Sequence, residues 1–387
     1  MVTSHLKLHT MVRDKRLLFG VPTLVIFLLI LVDFCVISWQ KALTQQRQQN
    51  LLISAPQDPS RRTVNWDMSV GENLEQYLPY LPDSSMGRLT ILAGMSQMYA
   101  INDQKPGDRI IVEHLDAALS PSGMRAFGLA APNMHNEEAL LMLLTTLSIP
   151  KAHPNYFIYG VCFDKFRNVD LRPGLQRLLG TRPELAQIWR DAALRYRNRY
   201  PKAAEKMLAS LAAVESTQKK GEVTFEERLR SKVASLLPLV AARQDLNAVT
   251  MGQLFELRNW MFHITPQSKR PILQSRYQLN QEFLEMIADV ANENHVQPIY
   301  YVIPLNPLAR NPYVPSQYAA FKVWLQQLCQ QKAIPFANLE GTVPSKYWGE
   351  FMGGPDYKHF RAEGHAITAQ AILREFGPLL GNGGRAQ

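Results

Sequence analysis

Two short segments of the chain carry the residue types that acyl chemistry uses. The first reads Arg88-Leu89-Thr90-Ile91-Leu92-Ala93-Gly94-Met95-Ser96-Gln97-Met98-Tyr99, an apolar run that reaches a glycine and then a serine. The second reads Gly353-Gly354-Pro355-Asp356-Tyr357-Lys358-His359-Phe360-Arg361-Ala362-Glu363-Gly364-His365, with an aspartate three residues before a histidine. A serine hydroxyl is a weak nucleophile until a base takes its proton, and an imidazole serves as that base when a carboxylate holds its other nitrogen. Together the three residue types suit attack on an ester or thioester carbonyl. Each segment alone has a plainer reading, Ser96 as a helix N-cap and the Asp-x-x-His as part of a surface turn. His365, on the helix side of Gly364, reads as structural. A metal site would need a third ligand that no neighbour offers at a recognisable spacing, so neither a metal nor another cofactor is expected.

These residues have to be positioned by something larger. Short apolar runs at 88–93, 109–112, 124–131, 155–162, 297–303 and 333–339 predict strands, and amphipathic stretches at 137–147, 279–294, 317–332 and 364–376 predict helices. Strands alternating with helices imply an α/β fold, a parallel sheet flanked by helices. Ser96 then falls at the carboxyl end of a strand, where open α/β sheets bind ligands. A helix expected to start there would aim unpaired N–H groups at an oxyanion. Asp356 and His359 are expected in a loop before the last helix, reaching toward the same strand ends. The stretch 170–276 breaks the rhythm, with long runs of Ala, Leu, Arg, Lys and Glu, and reads as a helical insertion between two strands.

Composition narrows the setting. Of 387 residues 46% are apolar and 19% charged, which excludes a disordered chain. Three cysteines exclude a disulfide scaffold or a multi-cysteine metal cluster, and Cys162 and Cys329 read as buried apolar residues. Residues 17–39 form an apolar stretch of 23 residues ending at Trp39, long enough to span a bilayer. Lys7, Arg13, Lys15 and Arg16 precede it against Asp14, so 1–16 is expected to stay in the cytoplasm and the bulk of the chain to lie outside, in the periplasm or beyond. Residues 40–82 read as a stalk, 83–380 as the folded domain and 381–387 as a tail. The net charge of +9 is concentrated in 170–276, which holds 19 basic and 10 acidic residues. Such a block attracts anionic partners, either membrane headgroups or acidic polymers, and an extracytoplasmic setting argues against nucleic acid.

Gly94-Met95-Ser96 and Asp356-Tyr357-Lys358-His359 resemble, in order and at opposite ends of the domain, the two signature blocks of the SGNH (GDSL-like) hydrolase superfamily. The resemblance covers roughly 85–169 and 277–380. It implies a flavodoxin-like three-layer fold with Ser96, His359 and Asp356 as the catalytic residues. With the N-terminal anchor, the chain is most similar to the cell-envelope branch, which includes the D-alanine-transfer protein of lipoteichoic acid biosynthesis and the alginate acetylation proteins. The run Tyr301-Val302-Ile303-Pro304-Leu305-Asn306-Pro307 resembles a strand-to-loop passage of that branch. The superfamily draws further oxyanion donors from a glycine after its second strand and an asparagine after its third. Here Phe163 stands where that asparagine is expected, so Gly128 and Asn133 become the candidate donors. The resemblance implies a membrane-anchored serine O-acyltransferase or carboxylic ester hydrolase acting on a glycan or anionic envelope polymer. A membrane-bound O-acyltransferase is the implied partner. The alternative is a non-catalytic docking partner of that acyltransferase.

Overall fold

The frame of the molecule is a six-stranded parallel sheet, seen in a computed structural model that describes residues 63–65, 87–219, 268–351 and 354–381. Its strands are β1 (Thr63–Asn65), β2 (Arg88–Gly94), β3 (Met124–Ala130), β4 (Tyr156–Val161), β5 (Gln297–Val302) and β6 (Phe336–Asn338). They lie in the order β1-β3-β2-β4-β5-β6. The chain steps from β2 to one side through α1 (Ile111–Leu119) into β3, then crosses back through α2 (Asn136–Leu147) into β4. Right-handed crossovers in opposite directions place those helices on opposite faces. The last helix, α8 (Ala362–Gly381), joins α1, where His365 accepts a hydrogen bond from the Ile111 N–H. On the other face α6 (Gln274–Glu293) joins α2 through the Asn136 side chain, which donates to the Asn280 carbonyl. There α7 (Pro315–Gln331) packs Trp324 against Tyr277 of α6. With both faces covered, β2, β4 and β5 are buried along almost their whole length, which is why they read as unbroken apolar runs rather than alternating ones.

Between β4 and β5 the described chain is helical, in α3 (Pro173–Thr181), α4 (Pro183–Tyr196) and α5 (Pro201–Lys219), before α6 begins. Trp189 of α4 is fully buried, and its indole N–H donates to the Met207 carbonyl of α5. The described residues belong to one compact unit, Leu52–Gly221 with Thr265–Gln387. The expected membrane span at 17–39, the cytoplasmic tail before it, the C-terminal end at 382–387 and most of the second half of the basic insertion lie outside the described residues. Among those described, no helix is long and apolar enough to cross a membrane.

Four expectations are corrected. The run 109–112 is not a strand. It leads into α1, whose buried Ile111, Leu115 and Leu119 recur every four residues, and the Glu113 carboxylate caps the helix by accepting the Ile110 N–H at 2.8 Å. The segment expected as a stalk contributes β1, the edge strand, in register with Gly128–Ala130 of β3. No full helix follows Ser96. Residues Ser96–Met98 make a single 3₁₀ turn, and Asp103 and Gly107, both at positive φ, then carry the chain away. Asp356 and His359 sit on a strand, β8 (Gly354–Phe360), which pairs antiparallel with β7 (Trp348–Phe351) in a small second sheet.

The joint between α8 and α1 sets an acid limit on stability. The fully buried His365 accepts from Ile111 at Nδ1, so Nε2 carries the proton and donates to the Ala100 carbonyl at 3.1 Å. Burial, above all, drives its pKa down to about 3. The unfolded chain takes up this proton near pH 6.5 and the folded chain does not, so the contribution is intact above that pH and erodes as pH falls toward the folded value. Relative to neutral pH, about 3 kcal/mol is expected to be lost by about pH 4. In His365→Gln, urea midpoints compared between those two pH values should show that much less pH dependence, whatever the variant's absolute stability.

Candidate active site

The reversal of winding direction sets the place of the site. The connections leaving β2 and β4, which are neighbours, run to opposite sides, and a crevice opens between their carboxyl ends. Ser96 stands there, two residues past the end of β2, with only 6% of its surface exposed. Gly94 lets the chain turn closely at this point, since a Cβ on it would overlap the Met98 side chain.

The structure brings the two sequence segments together. Ser96 Oγ lies 2.8 Å from His359 Nε2, and His359 Nδ1 lies 2.8 Å from Asp356 Oδ2. The buried Asp356 also accepts the main-chain N–H groups of Lys358 and His359 at Oδ1, at 2.9 and 3.2 Å. Burial by itself would raise this carboxyl, but the hydrogen bond and charge of His359 and the two N–H groups outweigh it and hold the pKa below the ordinary aspartate value. An ionised Asp356 accepts from Nδ1 and therefore leaves Nε2 as the acceptor facing the serine hydroxyl. That is the tautomer a general base needs.

What holds β8 against β2 was not legible in the sequence. Its carbonyls are gripped in succession. The Asn306 side chain donates to Asp356 O at 2.9 Å, and its main-chain N–H donates to Tyr357 O at 3.0 Å. Gln97, the residue after the serine, donates to Lys358 O at 2.7 Å and to Pro304 O at 2.8 Å. Asn102 donates from its side chain to His359 O and from its main chain to Phe360 O, both at 3.0 Å. A Cβ on Gly349 of β7 would overlap Asn102, so this strand must also be close. Three buried side-chain amides therefore fix the height of the histidine over the serine. Only the position of Gln97 beside Ser96 and of Asn306 in the Pro304-Leu305-Asn306-Pro307 run hinted at a role.

The two candidate oxyanion donors fare differently. Gly128 lies inside β3, not after it, and is paired in register with Leu92 on one side and Thr63 on the other. Its backbone belongs to the sheet ladder, so it is removed as a donor. Asn133 lies beyond β3 in the left-handed region, at φ 49°, where asparagine is better tolerated than most residues. Its Oδ1 accepts from Lys358 Nζ at 3.0 Å, which assigns its Nδ2 as the remaining donor group. Phe163 is core. Its ring packs 5.3 Å from Tyr313 and 5.1 Å from Phe321, so no polar group stands at that position.

Near the site, Cys162 is buried and unpaired in a disulfide, 3.3 Å from the Tyr313 hydroxyl, and Cys329 is likewise buried and free. Among the described residues no group of His, Cys, Asp or Glu is arranged to hold a metal ion.

No protein-family model matches the chain, and no curated protein matches it. Among solved structures it is similar to a putative acylhydrolase from Bacteroides fragilis, at 12% identity and a TM-score of 0.34, over 80% of this chain and 97% of that one. It is similar to a GDSL-like lipase from Bacteroides thetaiotaomicron at 10% identity and a TM-score of 0.36, over 81% of this chain and 100% of the other. It is also similar to an acetylxylan esterase from Geobacillus stearothermophilus at 9% identity and a TM-score of 0.35, over 76% and 96%. At these identities and TM-scores nothing about this chain's activity follows from them.

Proposed function

We propose that the chain is a membrane-anchored serine acyltransferase or esterase of the SGNH type, acting outside the cytoplasm on O-acyl groups of an envelope or exported polysaccharide. The observation that carries this reading is the Ser96–His359–Asp356 chain of hydrogen bonds at the carboxyl ends of the sheet strands. Ser96 Oγ attacks the acyl carbonyl while His359 Nε2 takes the hydroxyl proton. Asp356 stabilises the imidazolium, which then hands the proton to the departing alcohol or thiol. What remains is an acyl ester on Ser96. Water or a sugar hydroxyl attacks it, gives its proton to His359, and releases the acid or the new ester with the serine restored. The Ser96 main-chain N–H, in the first turn after β2, and the Asn133 amide are the donors assigned to the developing oxyanion. The apolar stretch 17–39 with its basic flank supports the anchor, and a membrane-bound O-acyltransferase would be a partner beside it.

The test is to expose the full-length chain, in detergent, to a fluorophosphonate and map the modified residue by mass spectrometry. Labelling at Ser96 that disappears in His359→Ala is the expected result. A folded chain that stays unlabelled overturns the catalytic reading and favours a docking partner.

A further inference from the structure

The helical insertion begins at a residue held in a conformation that it would not keep unaided. Asp170 has φ 92°, far from the left-handed well at about +57° that aspartate tolerates. Its carboxylate faces solvent and pairs with Lys206 of α5. Its main chain is gripped by the start of α2. The Asp170 N–H donates to Glu137 Oε2 at 3.3 Å, and the Asp170 carbonyl lies 2.8 Å from His135 Nε2. A carbonyl only accepts, so Nε2 carries the histidine proton and Nδ1 is left bare. The same clasp reaches toward the serine. Two residues on, Arg172 donates to the Pro132 carbonyl, next to Asn133.

Both side chains that hold Asp170 are titratable, buried and incompletely paired. Glu137 is 1% exposed and His135 4%. Glu137 Oε1 and His135 Nδ1 have no hydrogen-bond partner among the described residues. A buried carboxylate with one bare oxygen is costly to ionise. The charged groups around Glu137 are Lys206 from α5, Asp170 from the segment before α3, and Glu138 beside it on α2, itself held by Arg172. Helices α4 and α6 also pack on α2. There Arg190 pairs with Glu215 and Arg195 with Glu293, while Arg276 bonds the Arg167 carbonyl and Glu282 the Ala203 N–H. Lys206 and the Asp170 N–H favour the charged form of Glu137. Burial outweighs them, with Asp170 and Glu138 adding repulsion, and pushes its pKa up to about 7. His135 moves the other way, since burial holds it below its ordinary value.

We infer that this clasp is a proton-operated latch on the helical insertion, closed while Glu137 is protonated and releasing Asp170 when Glu137 ionises. An ionised Glu137 must reach water, and its way out is the departure of Asp170, whose own carboxylate the new charge repels. Asp170 then also leaves its strained φ, which lowers the cost of opening. Outside the cytoplasm, where pH follows the surroundings, such a latch reports on them. The latch goes beyond the proposed function and stands whether or not Ser96 is a nucleophile. Its sign follows from linkage. Glu137 ionises near pH 7 in the closed state and near its ordinary 4.5 once exposed, so opening becomes easier between those values and levels off above the upper one. A freed His135 gives the opposite trend, favouring opening in acid below its ordinary 6.5.

The test is amide hydrogen exchange, read by mass spectrometry on the full-length chain in detergent, over peptides spanning 168–172, with intrinsic exchange rates divided out. Wild type is compared with Glu137→Gln, which keeps an acceptor for the Asp170 N–H and cannot ionise. His135 is common to both, so their ratio isolates Glu137. From about pH 5.5 to about pH 8.5, opening in wild type is expected to gain about thirtyfold relative to the variant, the linkage between 4.5 and about 7. A peptide from β5 should show no such gain. Lys206→Met removes the charge that favours ionised Glu137, so the pH at which opening levels off should move upward. That shift decides the matter even where Glu137→Gln fails to fold. Equal pH dependence in wild type and Glu137→Gln overturns the inference. So does a gain that appears equally in β5, or a levelling pH that Lys206→Met leaves in place.

Discussion

Replacing Ser96 with alanine is expected to lower turnover of an activated acetyl ester by at least about 10⁴-fold, and His359→Ala by a similar factor. The two act as one unit, so the double variant should be scarcely slower than either single one. Asp356→Asn is the more instructive change. An asparagine in the same pose can present an N–H to Nδ1 and so favours the tautomer with its proton at Nε2, where the serine needs an acceptor. A loss of about 10³–10⁴-fold is expected with the fold intact. Asp356 Oδ1 also accepts two main-chain N–H groups, and asparagine's carbonyl can keep those, which separates the electrostatic role from the structural one. The measurement is steady-state hydrolysis alongside thermal unfolding. A Ser96→Ala protein that unfolds normally and keeps its turnover would remove this serine from the chemistry.

The second large effect is on stability. Glu138 in α2 is 1% exposed and is held by Arg172, just before α3, through two bonds of 2.5 and 2.7 Å. Arg172 also donates to the Pro132 carbonyl at 2.9 Å, one residue from Asn133. This one guanidinium therefore ties the helical insertion, the helix after β3 and the loop beside the serine. Arg172→Met is expected to destabilise the chain by roughly 3–5 kcal/mol, because it strands a buried carboxylate, and a urea titration reads it. The double variant Arg172→Met with Glu138→Leu should recover much of that loss, since removing both charges removes the desolvation cost as well. If the single variant costs less than about 1 kcal/mol, the pair is solvated in solution and the tie does not exist.

How much of this was legible beforehand depends on the range of the interaction involved. The strands 88–93, 124–131, 155–162 and 297–303 were readable because sheet strands buried on both faces must be continuously apolar, and the structure moves their ends by a residue or so. The run 109–112 misled because Arg109 followed by three apolar residues fits a strand or a helix start equally. The decision came from Glu113 capping the Ile110 N–H and from Leu115 and Leu119 further along. Gly128 misled because it already lies inside the expected strand 124–131 rather than after it, where a donor following the second strand belongs, and within β3 its backbone serves the sheet ladder.

The sequence by itself determined the α/β alternation, the serine after a strand, and the Asp-x-x-His before the last helix. Each is set by neighbours within a few residues. Only the tertiary structure decided that Asp356 and His359 stand on a strand and that Gln97, Asn102 and Asn306 clasp its carbonyls. It alone decided that Lys165, Arg167, Arg270 and Lys358 surround one cavity. The clasp joins residues from 50 to 261 positions apart, and hydrogen bonds and charges act through space rather than along the chain. No local pattern records them until the sheet has formed.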